Sequence, residues 1–227
     1  MRFLRLMCLL CLTVSLLRGQ KAEPGGNRNP TVPTITYDRL WEAFTPQNVN
    51  ITVQSDGTTK YVSRNPLKPK AEQEADPEYM LQFTMSKQNR EKLFRQARDA
   101  DYFHGDFKFT KHAVSSTGKK TLTYADQSQH FETTYDYSEN KDIEEITNLF
   151  QGISNTLEHG RKLVFLRRFD RLGLESELKG MESAAESHSL EELQVIAPLL
   201  EEIVKDPAIL NIARQRAKRL LAKCACK

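Results

Sequence analysis

Apolar and polar residues alternate with a period of two from Val49: Val49, Ile51 and Val53 are interleaved with Asn50 and Thr52, and the run stops at Ser55-Asp56-Gly57. Side chains of a strand point alternately to its two faces, so this pattern predicts a half-buried strand entering a hairpin. With a three-residue loop and Gly57 in a left-handed conformation, Thr59 falls opposite Val53 and Tyr61 opposite Ile51, so the apolar faces coincide. A two-residue loop would bring Lys60 to that face instead. Tyr79, Leu81, Phe83 and Met85 form a further alternating run, followed by Phe107 and Phe109, by Leu122 and Tyr124, and by Phe131, Thr133, Tyr135 and Tyr137. Antiparallel strands with one wet face fit such runs.

Helical spacing intervenes in two places. The order Thr36, Leu40, Trp41 and Phe44 predicts a short capped helix over 37–44, and Ser86 is placed to cap a helix over 87–100 with Leu93, Phe94 and Ala97 inward. Between them, Pro66, Pro69 and Pro77 mark 63–78 as a long exposed loop. After Ser138 the period stays helical. Ile143, Ile146, Phe150, Ile153 and Leu157 make one stripe, and Leu163, Leu166 and Phe169 a second beyond His159-Gly160. Leu174, Leu178 and Met181 make a third. Ser189 with Glu192 reads as a capping box for a helix carrying Leu193, Ile196, Leu200 and Val204, in which Pro198 is an anomaly. Asp206-Pro207 opens the last helix. The fold class expected is α+β: an antiparallel sheet with one packed helix over 34–153, followed by an all-helical C-terminal region over 154–227.

The N-terminus changes how composition is read. Arg2 and Arg5 precede the apolar run from Leu6 to Leu17, interrupted only by Thr13 and Ser15, and polar Arg18-Gly19-Gln20-Lys21 follows. That order is the one of a secretory signal peptide, and 12 residues are too few for a membrane span, which needs about 20. Residues 1–19 are therefore expected to be a signal peptide, cut after Gly19 or Ala22, and 20–33, rich in Pro and Gly, a disordered leader. Removal of 1–19 takes Arg2, Arg5 and Arg18 from 33 basic residues and leaves 30 against 30 acidic ones. Bulk charge then gives no support for nucleic-acid binding. Of four cysteines, Cys224 and Cys226 remain, a pair that could oxidise outside the cytoplasm, within one chain or between chains.

Three sets of residues could carry chemistry. Arg161, Lys162, Arg167, Arg168 and Arg171 lie among Leu163, Phe165, Leu166 and Phe169 and could dock an anionic partner. Asp101, His104 and Asp106, in a turn after the helix over 87–100, supply oxygen and imidazole ligands for a divalent cation. Cys224 and Cys226 are the redox candidates. The metalloprotease histidine pair, the nucleophile elbow and the Gly-rich phosphate loop are all missing from the sequence, so no cofactor is expected.

Asp56-Gly57-Thr58 with Tyr61, the helix through Leu93-Phe94, the pair Tyr102-Phe103 and the segment Thr121-Leu122-Thr123-Tyr124 together resemble an uncharacterised family of bacterial exported domains over residues 49–153. Family members often carry cysteines near the first strand, and this chain has none there. The resemblance implies an exported α+β domain and transfers no catalytic residue. The expectation is an extracytoplasmic protein, periplasmic or secreted, that acts as a non-catalytic interaction or structural module. Its expected partner is another extracytoplasmic protein, with no nucleic acid and no membrane anchor after cleavage. The alternative is an extracytoplasmic enzyme with its site near Asp101, His104 and Asp106.

Overall fold

The computed structural model describes residues 30–112 and 115–224. The expected signal peptide, most of the leader and Cys226 lie outside the described residues. Six strands form one antiparallel sheet: β1 (Thr34–Leu40), β2 (Asn48–Gln54), β3 (Thr58–Arg64), β4 (Tyr79–Thr84), β5 (Lys119–Ala125) and β6 (His130–Tyr135), in the order β4-β3-β2-β1-β5-β6. Six α-helices accompany it: α1 (Lys70–Ala75), α2 (Lys87–Asp99), α3 (Lys141–Phe169), α4 (Gly173–Glu186), α5 (Ala197–Lys205) and α6 (Asn211–Cys224). The fold class is α+β. Among the described residues no helix is long and apolar enough to cross a membrane.

The β2–β3 hairpin has the register that the alternation demands, with Ile51 opposite Tyr61 and Val53 opposite Thr59, and Gly57 at φ +97° in the three-residue loop. β1 replaces the helix expected over 37–44. Its Ile35, Tyr37 and Arg39 point inward, and it pairs with β2 on one side and β5 on the other, so the sheet would be cut in two without it. Helix-like spacing at Leu40, Trp41 and Phe44 is overridden because a central strand satisfies its backbone on both edges. Trp41 and Phe44 instead stack at 5.0 Å in the turn that follows. Phe107 and Phe109 form no strand. Phe109 N–H donates to Tyr137 O at 2.9 Å, and the two rings meet edge to face.

One face of the sheet is wet. The other, carrying Ile35, Tyr37, Ile51, Val53, Tyr61, Leu122 and Tyr135, packs on α2 and α3. Tyr37 stacks on Phe150 at 5.0 Å, and the Tyr135 hydroxyl lies 2.6 Å from that of Thr147. Helix α3 is a single 29-residue rod, about 44 Å long at 1.5 Å per residue, and the break expected at His159-Gly160 does not occur. Gly160 serves packing instead, since a Cβ there would come within 2.7 Å of Ile196. The same core therefore runs from the sheet along α3 to Leu174, Leu178, Met181, Leu200, Ile203, Ala217 and Leu220 of the following helices.

The capping box Ser189/Glu192 is not formed. Glu192 sits at φ +56°, almost fully buried, and its carboxylate accepts hydrogen bonds from Ser86 N–H at 2.9 Å, Ser86 Oγ–H at 2.7 Å and Asn89 Nδ2 at 2.7 Å. It thus closes the N-terminus of α2, where Ser86 is the cap as expected. Pro198 stops being an anomaly because α5 begins at Ala197, which puts the proline in the first turn, where no N–H is needed. The last helix starts at Asn211, later than the sequence implied. Asp206 caps only a preceding turn through Ala208 N–H.

Candidate functional site: the C-terminal half of α3 and its cleft

Past Leu157 the sheet ends and α3 presents side chains that neither layer covers. Val164 and Phe165 are each 57% exposed, Phe169 65% and Leu172 in the next loop 74%. Phe165 and Phe169 pack ring to ring at 5.0 Å, and the Arg168 guanidinium lies 5.1 Å over Phe169. These residues fall on the flank that remains once Leu163 and Leu166 are buried against α4 and its neighbours.

The five basic residues expected to dock a partner share this segment but not one state. Arg161 is held by Asp76, lies 3.8 Å from Glu158 and stacks 5.3 Å over Tyr79. Lys162 contacts Glu177 at 2.5 Å, and Arg167 pairs with Glu202. Arg168 and Arg171 have no carboxylate partner among the described residues; Arg171 Nε reaches only Arg167 O. Free positive charge therefore sits at the end of the helix.

Beside the segment a cleft of about 660 Å³ opens, walled by Phe44, Pro77 and Phe165 and floored by Asp76, Glu158, His159, Arg161, Lys162 and Glu177. Glu158 accepts from the Tyr61 hydroxyl at 2.7 Å and the Ser63 hydroxyl at 2.6 Å, which ties α3 to β3. Burial pushes the Tyr61 phenol far above its ordinary value, and the nearby Glu158 charge adds to this. Burial would raise the Glu177 carboxyl as well. Hydrogen bonds from Lys162 and His159, at 2.5 Å to His159 Nδ1, outweigh it and hold that carboxyl below the ordinary range. No protein-family model and no curated protein matches this chain.

Sequence reasoning missed Glu158, His159 and Glu177. Glu158 and His159 are adjacent in sequence, but their partners lie far along the chain: Tyr61 and Ser63 for Glu158, and Glu177 for His159. Both Glu177 oxygens are committed, one to His159 and one to Lys162, so the group cross-links α3 to α4.

The cation candidates are brought only partly together. His104 Nδ1 lies 3.4 Å from Asp101 Oδ2 with both side chains more than two-thirds exposed, whereas Asp106 accepts from Lys108 N–H at 2.9 Å. Among the described residues no group of three His, Cys, Asp or Glu is placed to hold a metal. The backbone here carries another message. Asp101, Tyr102 and Phe103 take φ of +47°, +52° and +72° in succession, a left-handed turn that costs non-glycine residues roughly 1–2 kcal/mol each. Cys224, at the end of α6, is partly buried, which raises its thiol, and it contacts Leu220 O at 3.4 Å.

Proposed function

We propose that the protein is an exported, non-catalytic interaction module that docks a second extracytoplasmic protein through the C-terminal end of α3. The observation that carries this reading is the contiguous exposure of Val164, Phe165, Phe169 and Leu172 beside Arg168 and Arg171, whose charges no carboxylate among the described residues neutralises. An apolar patch rimmed by unpaired guanidiniums suits a partner surface that is apolar at its centre and acidic at its edge. Export is supported by the order of basic, apolar and polar residues in 1–19 and by the resemblance of 49–153 to the exported domain family. The His159–Glu177 pair supports no competing catalytic reading, because both oxygens of its carboxylate are already committed, one to His159 and one to Lys162.

The test is capture from the exporting compartment by the chain beginning at Gln20, compared with Phe169→Ser and with the Arg168→Glu/Arg171→Glu pair. A protein retained by the parent and lost by both variants, and rebound in purified form, supports the proposal. Identical recovery by all three overturns it, as does sedimentation showing that the face pairs two copies of this chain.

A further inference from the structure

A second cleft, of about 570 Å³, lies between α2, the turn at Ser55 and the rings of Tyr102 and Tyr124. Three arginines enter it. Arg90 is anchored, its Nη1 donating to Asp56 O at 2.8 Å. Arg95 and Arg98 are exposed, and among the described residues their side chains make no hydrogen bond and no ion pair. They stand three residues apart on one helix, so their Cβ atoms are neighbours and two like charges face solvent side by side, an arrangement that weakens a helix in isolation. Acids are near in sequence but do not relieve it. Glu91 also lines the cleft, its carboxylate 3.8 Å from Lys87, and Asp99, four residues beyond Arg95, makes no ion pair among the described residues.

The rest of the wall is aromatic. Phe94 is half-buried between Arg90 and Arg98 along the helix, and Tyr102 lies 4.5 Å from Tyr124, centroid to centroid. Tyr102 is the middle residue of the left-handed turn over 101–103, whose Phe103 is fully buried. The turn thus forces the Tyr102 ring up against Tyr124. Tyr124 in turn donates its hydroxyl to Asp126 at 3.0 Å, and Asp126 also accepts from Ser128 and Gln129, which keeps that carboxylate occupied. Strain held beside unpaired charge is a pattern met at binding sites.

We propose that this cleft binds a small organic anion: a carboxylate or phosphate group carried on a flat, aromatic body. The guanidiniums of Arg95 and Arg98 take the anionic head, since a planar guanidinium donates two parallel hydrogen bonds to either group. Phe94 and Tyr102 cover the body. Binding breaks no ion pair that the fold already uses, and the volume lies in the range of small-ligand pockets, about 300–1,000 Å³. The site is separate from the α3 face and does not depend on it.

The experiment is a titration of the chain beginning at Gln20 with phenyl phosphate, benzoate and inorganic phosphate, followed through backbone and arginine Nε–H resonances. The expected result is saturable shifts confined to α2 and 101–103, with phenyl phosphate or benzoate binding at least about tenfold more tightly than inorganic phosphate. Whichever aromatic anion binds more tightly identifies the head group. Arg95→Gln/Arg98→Gln is expected to weaken that binding about tenfold or more while leaving the unfolding midpoint unchanged. Failure of both aromatic anions to saturate, equal binding of inorganic phosphate, an unaffected double variant, or equal shifts along 161–171 would each overturn the proposal.

Discussion

The segment 161–171 carries five basic residues against one acid, and α2 carries five against two. In the first, the fold brings carboxylates from far along the chain: Asp76 to Arg161, Glu177 to Lys162 and Glu202 to Arg167. In α2, Lys92 meets Glu145 at 3.1 Å and Arg90 meets a carbonyl, but Arg95 and Arg98 have no hydrogen-bond or ion-pair partner among the described residues. A count of charges is a property of the sequence, whereas the charge left free for a ligand is a property of the fold. Each run keeps two unpaired guanidiniums among the described residues, Arg168 and Arg171 in one and Arg95 and Arg98 in the other, and what distinguishes the end of α3 is exposed apolar surface. Apolar exposure argues for a protein partner and unpaired guanidiniums around an aromatic floor for a small anion.

The largest way to break this comparison is to release α2 from its anchor. Glu192→Ala removes the acceptor of the Ser86 hydroxyl, the Asn89 and Gln194 side-chain amides and the Ser86 N–H in a site from which water is excluded. Leaving those donors unpaired is expected to lower stability by about 2–4 kcal/mol, read as a drop in the urea midpoint at constant slope. Loss of less than about 1 kcal/mol would mean that α2 is held by its apolar face alone.

How much of this was legible beforehand follows the same division between local and distant causes. The β2–β3 hairpin, the Ser86 cap and the stripe Ile143 to Leu157 are written in residues within one or two turns of each other, and each formed as its spacing implies. β1 was misread because Leu40, Trp41 and Phe44 happen to fit a helical face, while its true determinant is pairing with strands whose residues lie up to about ninety positions away. Glu192 looked like a local cap and is a distant one, a choice set by its left-handed backbone. Of the candidate site, the segment 161–171 was legible as a run, but which of its cations are neutralised depended on Asp76, Glu177 and Glu202. In α2 the eye was drawn to Leu93, Phe94 and Ala97, and nothing in the sequence says that Glu91 and Asp99 fail to pair with Arg95.

A sharper contrast comes from reversing charge in each helix. Arg161→Glu would set a third carboxylate beside Asp76 and Glu158 and remove the contact with Tyr79, in a place only about a quarter exposed. Its expected cost is about 1–3 kcal/mol. Arg95→Glu and Arg98→Glu, which break no hydrogen bond or ion pair among the described residues, should each stay within about 0.5 kcal/mol of the parent. Paired urea titrations of the three variants check both halves, and equal losses in the two helices would erase the distinction drawn between them.

The smallest expected effect concerns how firmly the α3 cluster holds its charges as pH changes. Glu177 is 7% exposed and its carboxyl lies below the ordinary range, because donation from Lys162 and His159 outweighs burial. The folded state then binds fewer protons than the unfolded chain wherever the unfolded carboxyl titrates, near about pH 4.3, so stability rises with pH through that window. The contribution is present above the unfolded value and disappears as pH falls through the folded one. Lys162 is more than half exposed and solvent screens it, which limits the effect to about 1 kcal/mol. Glu177→Gln keeps the shape and removes the titration, so parent and variant should differ most at pH 6–7 and converge toward pH 3, measured as urea midpoints across that range. A gap that stays constant with pH would place the role of Glu177 in packing rather than in charge.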